Sequence, residues 1–222
     1  MQKNNIKLTY FDFCFWRIDI SRLALSIGGI PYKYEKIPRR DWAIKKKSGV
    51  FVFGQLPIMQ INDKIFAQTS AIARYCGKLS NLIPSNEFDA LLIDEILDVA
   101  NDITYVIAPS IREKNLEKKK IMRVELHEKI LPIWLSHLEN FFVENKKSNF
   151  LISNNFTLAD IVIWRILLWL SCGLLENISR DIVRKYKLLN EYFNFISKNK
   201  TLRNTIEYEE IMTEISEKTK TM

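Results

Sequence analysis

A single change in the spacing of apolar residues divides this chain of 222 residues and constrains its fold most strongly. Before the polar stretch LSNLIPSNEF, strand-like and helix-like segments alternate, whereas helical spacing dominates after it. The alternating part has the order β-α-β-α-β-β-α, which favours a small mixed sheet with helices packed on it. The sequence therefore predicts an α/β domain over residues 1–80, a linker over 81–87, an all-helical domain over 88–210 and a disordered tail over 211–222.

Periodicity and turn residues assign the individual segments. The run Ile6–Tyr10 is typical of a buried strand. The apolar runs on either side of Asn62-Asp63 predict a hairpin, because this residue pair favours a tight turn. The other predicted elements are a strand at Pro31–Ile37 and helices at Ile18–Ser26, Thr69–Lys78, Phe88–Ile107, Leu116–Asn145, Thr157–Leu175 and Ile182–Ser197.

The stretch NNFTLADIVIW carries a helix start signal. Thr157 and Asp160 have the spacing of a capping box, in which two side chains satisfy free N–H groups at the start of a helix. Phe156 and Ile161 occupy the positions of a hydrophobic staple around the same start. We assign this motif to folding and give it no catalytic role.

Composition and charge argue against several classes of function. The net charge of +7 comes from short, scattered basic runs that are typical of solvated faces, and no nucleic-acid-binding motif is present. Cys14, Cys76 and Cys172 form no C-x-x-C pair, which argues against a disulfide framework or a metal site and for a reducing compartment. No signal peptide precedes the first strand, and the most apolar segment, Ile161–Leu175, is too short to span a bilayer. A cytoplasmic protein without nucleic-acid or membrane partners is expected.

The stretch LTYFDFCFWRIDISRLA places two side chains with useful chemistry, Tyr10 and Cys14, between a predicted strand and a predicted helix. A phenol can donate a hydrogen bond to a thiolate, and each unit by which a pKa falls needs about 1.4 kcal/mol of preferential stabilisation. The pKa of a thiol can itself fall near a helix start, although Cys14 has no resolving partner nearby. Both residues are candidates at this point, beside the alternative that Tyr10 is a core residue.

Two further motifs allow a binding role or a purely structural one. Pro57, in VFGQLPIM, opens a predicted strand without an N–H donor. A cis Leu56–Pro57 bond would turn the Leu56 backbone toward an extended peptide, whereas a trans bond, the commoner state, would mark only a strand start. Gln68-Thr69 stands at a predicted helix start, where free N–H groups attract a carboxylate, unless Thr69 only caps its own helix.

Taken in order, these motifs resemble one family. KLTYF, FGQLPIM, QTSAIARY and TLADIVIW follow one another as in the cytosolic glutathione transferases, most similarly in the tyrosine-type, sigma-like class that includes the glutathione-dependent prostaglandin D synthases. The resemblance covers about Ile6 to Ile206. It implies a thioredoxin-like α/β domain that binds glutathione, an all-helical C-terminal domain, a homodimer and a role in detoxification.

The resemblance also implies the site residues. Tyr10 matches the family's catalytic tyrosine, which stabilises the glutathione thiolate, and on this ground we prefer it to Cys14. Arg17 is similar to an arginine at the start of the first helix, and segment 54–57 matches the one that pairs with the cysteinyl backbone of glutathione. The implied glutathione-binding set is Tyr10, Arg17, Trp42, Lys46, Gly54, Gln55, Leu56, Pro57, Gln68, Thr69 and Asp102.

Each end of glutathione has implied partners. Trp42 and Lys46 keep the family's spacing for residues that hold the glycyl carboxylate. Gln68 and Thr69 match the pair that grips the γ-glutamyl carboxylate, and Asp102 is similar to an aspartate that reaches the γ-glutamyl amine from the partner subunit. Two cations, a helix N-terminus and one carboxylate complement the two carboxylates and one ammonium of glutathione.

The loop after Tyr10 departs from the family pattern. FCFWRIDI is bulkier and one residue longer than the family's loop, which carries a glycine. We expect this loop, Phe11–Trp16, to form the electrophile pocket together with the helix Asn101–Arg112. The candidate walls are Phe11, Phe13, Phe15, Trp16, Tyr105 and Ile107, each of which has a core position as its alternative.

The leading hypothesis for function is an enzyme that adds the glutathione thiolate to hydrophobic electrophiles. One alternative uses the same thiolate in a glutathione-dependent isomerase or peroxidase. Another has Cys14 as a nucleophile that forms a mixed disulfide. The last is a dimer that binds hydrophobic ligands with little catalysis.

Overall fold

The computed structural model describes residues 5–145, 148–152 and 154–221. Its N-terminal part is built on a four-stranded mixed sheet with the strand order β2-β1-β3-β4. The central strand, β1, pairs in parallel with β2 and antiparallel with β3, and β3 and β4 form a hairpin. The strands are β1 (Ile6–Phe11), β2 (Tyr32–Ile37), β3 (Ile58–Ile61) and β4 (Lys64–Ala67).

Three helices complete the N-terminal part: α1 (Trp16–Ile27), α2 (Trp42–Lys45) and α3 (Thr69–Leu79). The predicted order β-α-β-α-β-β-α is confirmed, and so is the hairpin turn, where Asn62 has a φ of 52°. Leu8 in β1 is fully buried, and Ile72 and Cys76 on α3 belong to the same core. Tyr10 therefore lies near the C-terminal end of the central strand β1, and α1, which follows this strand, packs against α3.

The C-terminal part is helical throughout its regular structure among the described residues, as the sequence predicts. Its helices are α4 (Glu87–Arg112), α5 (Leu116–Glu125), α6 (Leu131–Asn145), α7 (Leu158–Ser171), α8 (Lys187–Ser197), α9 (Lys200–Arg203) and α10 (Ile206–Lys220). A π-helical turn at Leu126–Ile130 lies between α5 and α6 within the predicted helix 116–145. None of the helices in the described ranges combines the length and apolarity needed to cross a membrane.

Helix α7 is buried along nearly all its length and packs against both α1 and α4. It begins with the predicted capping box, which is confirmed: the Thr157 backbone N–H donates to Asp160 Oδ2 at 2.7 Å. The other carboxylate oxygen, Oδ1, accepts from the Leu151 backbone N–H at 3.1 Å and from the Tyr192 hydroxyl. One aspartate thus joins the start of α7 to the preceding segment and to α8.

A buried ion pair connects the two parts of the molecule. Arg165 on α7 donates from Nε and Nη2 to Asp19 Oδ2 on α1, at 3.0 and 2.7 Å. The two side chains are 3% and 0% exposed. Because α1 follows the loop after Tyr10, this pair fixes the helix on which that loop ends.

The chain ends in a helix, α10, where the sequence predicts a disordered tail over 211–222. The polar composition of this segment suggested fraying, but its acidic side chains find distant partners. Glu207 accepts a hydrogen bond from the Tyr32 hydroxyl at 2.5 Å, and Glu210 pairs with Arg22 at 2.5 Å. These contacts hold α10 against α1 and β2. The prediction of a disordered tail is therefore wrong for residues 211–220.

Candidate active site

Tyr10 lies at the end of β1 with its ring packed edge-on against Phe11 and Phe13, at centroid distances of 5.4 and 5.8 Å. Its side chain is 4% exposed. Burial raises the pKa of the Tyr10 hydroxyl above its ordinary value of 10, and the nearby charges of Arg17 and Arg39 only partly oppose this. The phenol is therefore protonated at neutral pH and can act as a hydrogen-bond donor rather than as a base.

The start of α3 forms a polar corner near Tyr10. Gln68, directly before the helix, has a φ of 79°, a strained conformation that costs about 1–3 kcal/mol and is typical of functional sites. Thr69 is buried, and its hydroxyl accepts from Arg17 Nη1 at 3.3 Å. The same nitrogen donates to Asn101 Oδ1 on α4 at 2.6 Å. A guanidinium and a helix N-terminus meet here, which suits a carboxylate.

A second layer of polar residues supports this corner, and sequence reasoning missed it. Asn101 Nδ2 donates to the Ser70 hydroxyl at 2.9 Å, and that hydroxyl donates to Asp98 at 3.1 Å. Asp102, which the family resemblance implies as the partner of the γ-glutamyl amine, is exposed on α4. It forms no hydrogen bond or ion pair with the described residues. Within one chain the corner is thus organised by Asn101, the neighbour of the predicted residue.

Arg17 reaches the corner from α1 rather than from the loop. It is the second residue of α1, and its guanidinium lies 5.2 Å from the ring of Trp16 and 5.1 Å from that of Tyr105. Both distances are in the range of cation–π contacts. The longer loop therefore still leaves Arg17 at the start of the first helix, where the family resemblance implies it, and in contact with Thr69.

A second cluster surrounds the loop before β3. Trp42 is half-buried and packs edge-on against Phe11, with ring centroids 5.3 Å apart. The Lys46 side chain runs along the backbone of Gly54, where an added Cβ would lie 2.9 Å from Lys46 Cε and 3.6 Å from Nζ. Gly54 also has a φ of 60°, a conformation that favours glycine. Both this backbone conformation and the closeness of the Lys46 side chain therefore require glycine at this position. The structure thus places Trp42 against the end of β1 and Lys46 against Gly54.

The Leu56–Pro57 bond that follows is cis, which decides between the two alternatives for this motif. Pro57 is buried and Leu56 half-buried, while Gln55 is exposed. Because Thr9 of β1 pairs with Ile58 of β3, Pro57 lies beside the end of β1 that carries Tyr10.

The structure separates the predicted electrophile-pocket walls into two groups. Phe11, Phe13 and Phe15 are half-buried and Tyr105 is 60% exposed, so these four can face a ligand. Trp16 and Ile107, in contrast, are fully buried, and their prediction as walls is wrong.

The reason for this difference lies in the start of α1. Trp16 is the first residue of that helix, and its indole Nε1 donates to the Thr104 hydroxyl of α4 at 2.8 Å. Its ring therefore fills the α1–α4 interface instead of the pocket. Ile107, one helical turn beyond Thr104, belongs to the same buried core.

An open cavity of about 620 Å³ borders the aromatic loop. Its lining comes from the loop after β1, the turn after β2 and the C-terminal helix α10: Asp12, Phe13, Pro38, Arg39, Arg40 and Lys218. Sequence reasoning missed the three cations in this set, because the Arg39-Arg40 pair reads as a solvated basic run and Lys218 lies in the predicted tail.

Helix α10 also holds the loop itself. The Glu214 carboxylate accepts from the Cys14 backbone N–H with both oxygens, at 3.0 and 2.8 Å. Burial raises the pKa of the Cys14 thiol, and the carboxylates of Asp19 and Glu214 raise it further. Cys14 is consequently a protonated thiol, which argues against it as a nucleophile.

Two family models match the chain. The glutathione S-transferase N-terminal domain matches residues 6–78, and the glutathione S-transferase C-terminal domain matches residues 101–207. Glutathione S-transferase 1 of Ascaris suum is 30% identical over 165 residues, which cover 71% of this chain and 76% of that protein.

Two solved structures show the same architecture. The prostaglandin synthase D of Nilaparvata lugens is 27% identical with a TM-score of 0.76, over 90% of this chain and 96% of that one. A glutathione S-transferase of Necator americanus, described as monomeric, is 25% identical with a TM-score of 0.74, over 90% of this chain and 95% of that one.

Proposed function

This chain belongs to the glutathione S-transferase family, and we propose that Tyr10 is the residue through which it activates its co-substrate. The protein is an enzyme that conjugates glutathione to electrophiles. The observation that carries the proposal is the position of Tyr10: a buried, protonated phenol stands between a polar corner at α3 and an aromatic loop.

We propose that glutathione lies along the sheet edge with its two carboxylates at the two polar clusters. The γ-glutamyl carboxylate would bind the first N–H groups of α3 with Gln68, Thr69 and Arg17. The glycyl carboxylate would bind Trp42 and Lys46. The cysteinyl backbone would pair with the chain at Gly54–Pro57, as an added strand.

In this arrangement the Tyr10 hydroxyl donates a hydrogen bond to the glutathione sulfur. A hydrogen bond to a charged group is worth about 1.5–3 kcal/mol, which corresponds to a decrease of about one to two units in the pKa of the thiol. The thiol proton leaves to solvent, and the thiolate then forms a C–S bond with the electrophile. The electron pair released goes to a leaving group or to a carbon that takes a proton from water.

The rate of conjugation with a chloronitrobenzene acceptor tests the role of Tyr10. Tyr10→Phe should lower kcat/KM by about 10–100-fold at neutral pH, because each lost pKa unit costs about a factor of ten in thiolate. Tyr34→Phe, which removes a half-buried hydroxyl elsewhere on the sheet, is the matched control, and Cys14→Ser should keep full activity. A Tyr10→Phe variant as fast as the wild type would contradict the proposal.

The solved relative named prostaglandin synthase D supports a test of isomerisation as a second activity. Turnover of an endoperoxide or a hydroperoxide without a conjugate would indicate an isomerase or a peroxidase that uses the same thiolate. Tight ligand binding that survives Tyr10→Phe, with no turnover in the wild type, would instead indicate a ligand-binding dimer.

We also propose that the chain forms a homodimer through the outer face of β3, β4 and α3. An apolar groove of about 410 Å³ lies there, and Phe53 and Phe66 on its rim are 63% and 43% exposed. Exposed apolar patches of this kind are typical of protein interfaces. Asp102, exposed on α4, would then be available to the partner's glutathione site.

Light scattering of the purified protein tests the assembly. We expect a mass of about twice the 26.2 kDa of one chain, and we expect Phe53→Ser to shift it toward the monomer. Ile44→Ser is the control, because Ile44 is 77% exposed on α2, outside the groove. A wild-type mass of one chain, the state described for the relative from Necator americanus, would reject the dimer.

A cytoplasmic location and a role in detoxification are further parts of the proposal. The three cysteines are free, which suits a reducing compartment. Fractionation of cells that express the full chain would check the location, and sensitivity of cells that lack it to added electrophiles would check the role.

A further inference from the structure

We propose that the second substrate is an amphipathic electrophile whose anionic group binds Arg39, Arg40 and Lys218. The inference rests on the proposed function and specifies the substrate class of the electrophile site. It starts from the lining of the 620 Å³ cavity, where three cations face a single carboxylate, that of Asp12. That carboxylate lies 3.9 Å from Lys36, outside the cavity lining.

The charges of the cavity are not all neutralised within the described part of the chain. Arg40 lies 3.8 Å from Asp41, and Lys218 pairs with Glu214. Arg39, in contrast, forms no ion pair with a described carboxylate. Its guanidinium lies instead 5.0 Å from the ring of Phe13. A cation that rests on an aromatic ring and lacks a protein carboxylate is available to an anionic ligand.

The cations and Tyr10 are joined by one continuous aromatic surface. The Phe13 ring lies 5.8 Å from that of Tyr10, and it stacks with Phe11 at 5.7 Å with an interplanar angle of 4°. Lys218 Nζ and the Arg39 guanidinium both lie near the Phe13 ring, at 5.4 and 5.0 Å. A ligand with its reactive carbon at Tyr10 can therefore lay an apolar body across Phe13 and reach the cations with its far end.

The position of Lys218 is fixed by the same contact that holds the loop. Glu214 accepts both from Lys218 and from the Cys14 backbone N–H. One carboxylate thus couples the cation of α10 to the loop that carries Phe13. The cavity is assembled from three segments that are far apart in the sequence, which gives it a defined charge and shape.

The size of the effect follows from the exposure of the cations. The Arg40 and Lys218 side chains are 87% and 45% exposed, so each ion pair with a ligand contributes only about twofold to fivefold in affinity. Together, the cations should favour an anionic substrate over a neutral isostere by about fivefold to twentyfold at low salt, and by less at high salt.

A matched pair of enones tests the inference: 4-(3-oxobut-1-enyl)benzoate and its carboxamide. In both, the glutathione thiolate adds to the β-carbon and the resulting enolate takes a proton from solvent. The two differ in the charge of the remote group and in its electron withdrawal, so each kcat/KM is divided by the second-order rate constant of the uncatalysed addition. We expect kcat/KM of the wild type to favour the carboxylate by at least about fivefold at low ionic strength.

The variants Arg39→Gln and Lys218→Gln should each lower this preference ratio, and the triple variant that also carries Arg40→Gln should bring it close to one. Arg39→Lys and Lys218→Arg should keep it, because they keep the charge. Lys33→Gln removes an exposed cation of β2 outside the cavity and should leave the ratio unchanged. The ratio is the readout because a general loss of folding or of glutathione binding affects both substrates equally.

Equal kcat/KM values for the two enones in the wild type would overturn the inference, and Tyr10-dependent turnover of both would leave the proposed function intact. No Tyr10-dependent turnover of either enone would contradict the proposed function itself. If the cation variants raised the KM for glutathione and left the ratio unchanged, the cations would belong to the glutathione site, which would also overturn the inference.

Discussion

The two sides of Tyr10 are built in different ways. On the proposed glutathione side, contacts come from backbone features and short motifs: the cis Leu56–Pro57 bond, the strained Gln68 and the start of α3. On the proposed electrophile side, contacts come from side chains of the loop after β1, the turn after β2 and α10. The comparison shows that the backbone features of the glutathione side are encoded in contiguous motifs, to which Arg17 and Asn101 are added by long-range packing. The electrophile side has no contiguous motif of this kind and depends on long-range packing throughout.

Both sides depend on α1, so removal of its anchor should have the largest effect. Arg165→Met leaves the fully buried Asp19 carboxylate without its partner, which should lower the free energy of unfolding by about 3–5 kcal/mol. Chemical denaturation of the purified variant measures this loss. Arg184→Met is the control, because the Arg184–Asp181 pair is exposed and should contribute less than about 1 kcal/mol. Equal losses in the two variants would contradict the anchoring role.

Gly54→Ala should affect the glutathione side alone. Alanine at a φ of 60° costs about 1–2 kcal/mol, and its Cβ would force Lys46 away from its position. We expect a several-fold higher KM for glutathione with an unchanged KM for a neutral electrophile. Gly29→Ala is the matched control: its φ of 64° imposes similar strain, but no atom lies within 4 Å of the added Cβ. An equal rise of the KM for glutathione in both variants would contradict the assignment of Gly54 and Lys46 to the glutathione side.

Glu214→Gln should affect the electrophile side, with a loss of about 1 kcal/mol in stability and a higher KM for the electrophile. Burial opposes the charged form of Glu214, but hydrogen bonds from Cys14 and Lys218 hold its pKa below the ordinary value of 4.5. The contribution of this carboxylate is therefore complete above pH 4.5 and is lost as the pH falls through the lower folded-state pKa.

Denaturation of the wild type and Glu214→Gln across pH 3–7 measures that dependence. The difference in stability between them should shrink on acidification below pH 4.5. The exposed Glu217, three residues further along α10, provides the control variant Glu217→Gln, which should follow the wild type at every pH. A difference that stays constant down to pH 3 would show that the Glu214 charge does not hold the loop.

The contrast between the two sides also explains what the sequence could predict. The hairpin at Asn62-Asp63 and the capping box of Thr157 and Asp160 are set by neighbours in the chain, so their residues signal them directly. The cis proline and Gln68-Thr69 are likewise contiguous motifs, although the preference for a binding role over a structural one rests on the order in which they occur and on the family resemblance.

The missed features all depend on partners distant in sequence. Glu214 contacts Cys14 across 200 residues, and nothing in the composition of the last residues signals that contact. Trp16 and Ile107 are apolar whether they line a pocket or fill a core, so their type does not distinguish the two. Asn101 and Asp102 are adjacent on α4, yet successive residues point about 100° apart on a helix, and only Asn101 faces Arg17.

The pKa of the glutathione thiol bound to the enzyme tests the central claim most directly. Ultraviolet difference spectra of the thiolate, recorded against pH with the wild type and Tyr10→Phe, give this value without an electrophile. We expect the wild type to hold the thiol pKa about one to two units below that of the free thiol, and Tyr10→Phe to return it close to the free value. The same lowered pKa in both proteins would contradict the role of Tyr10.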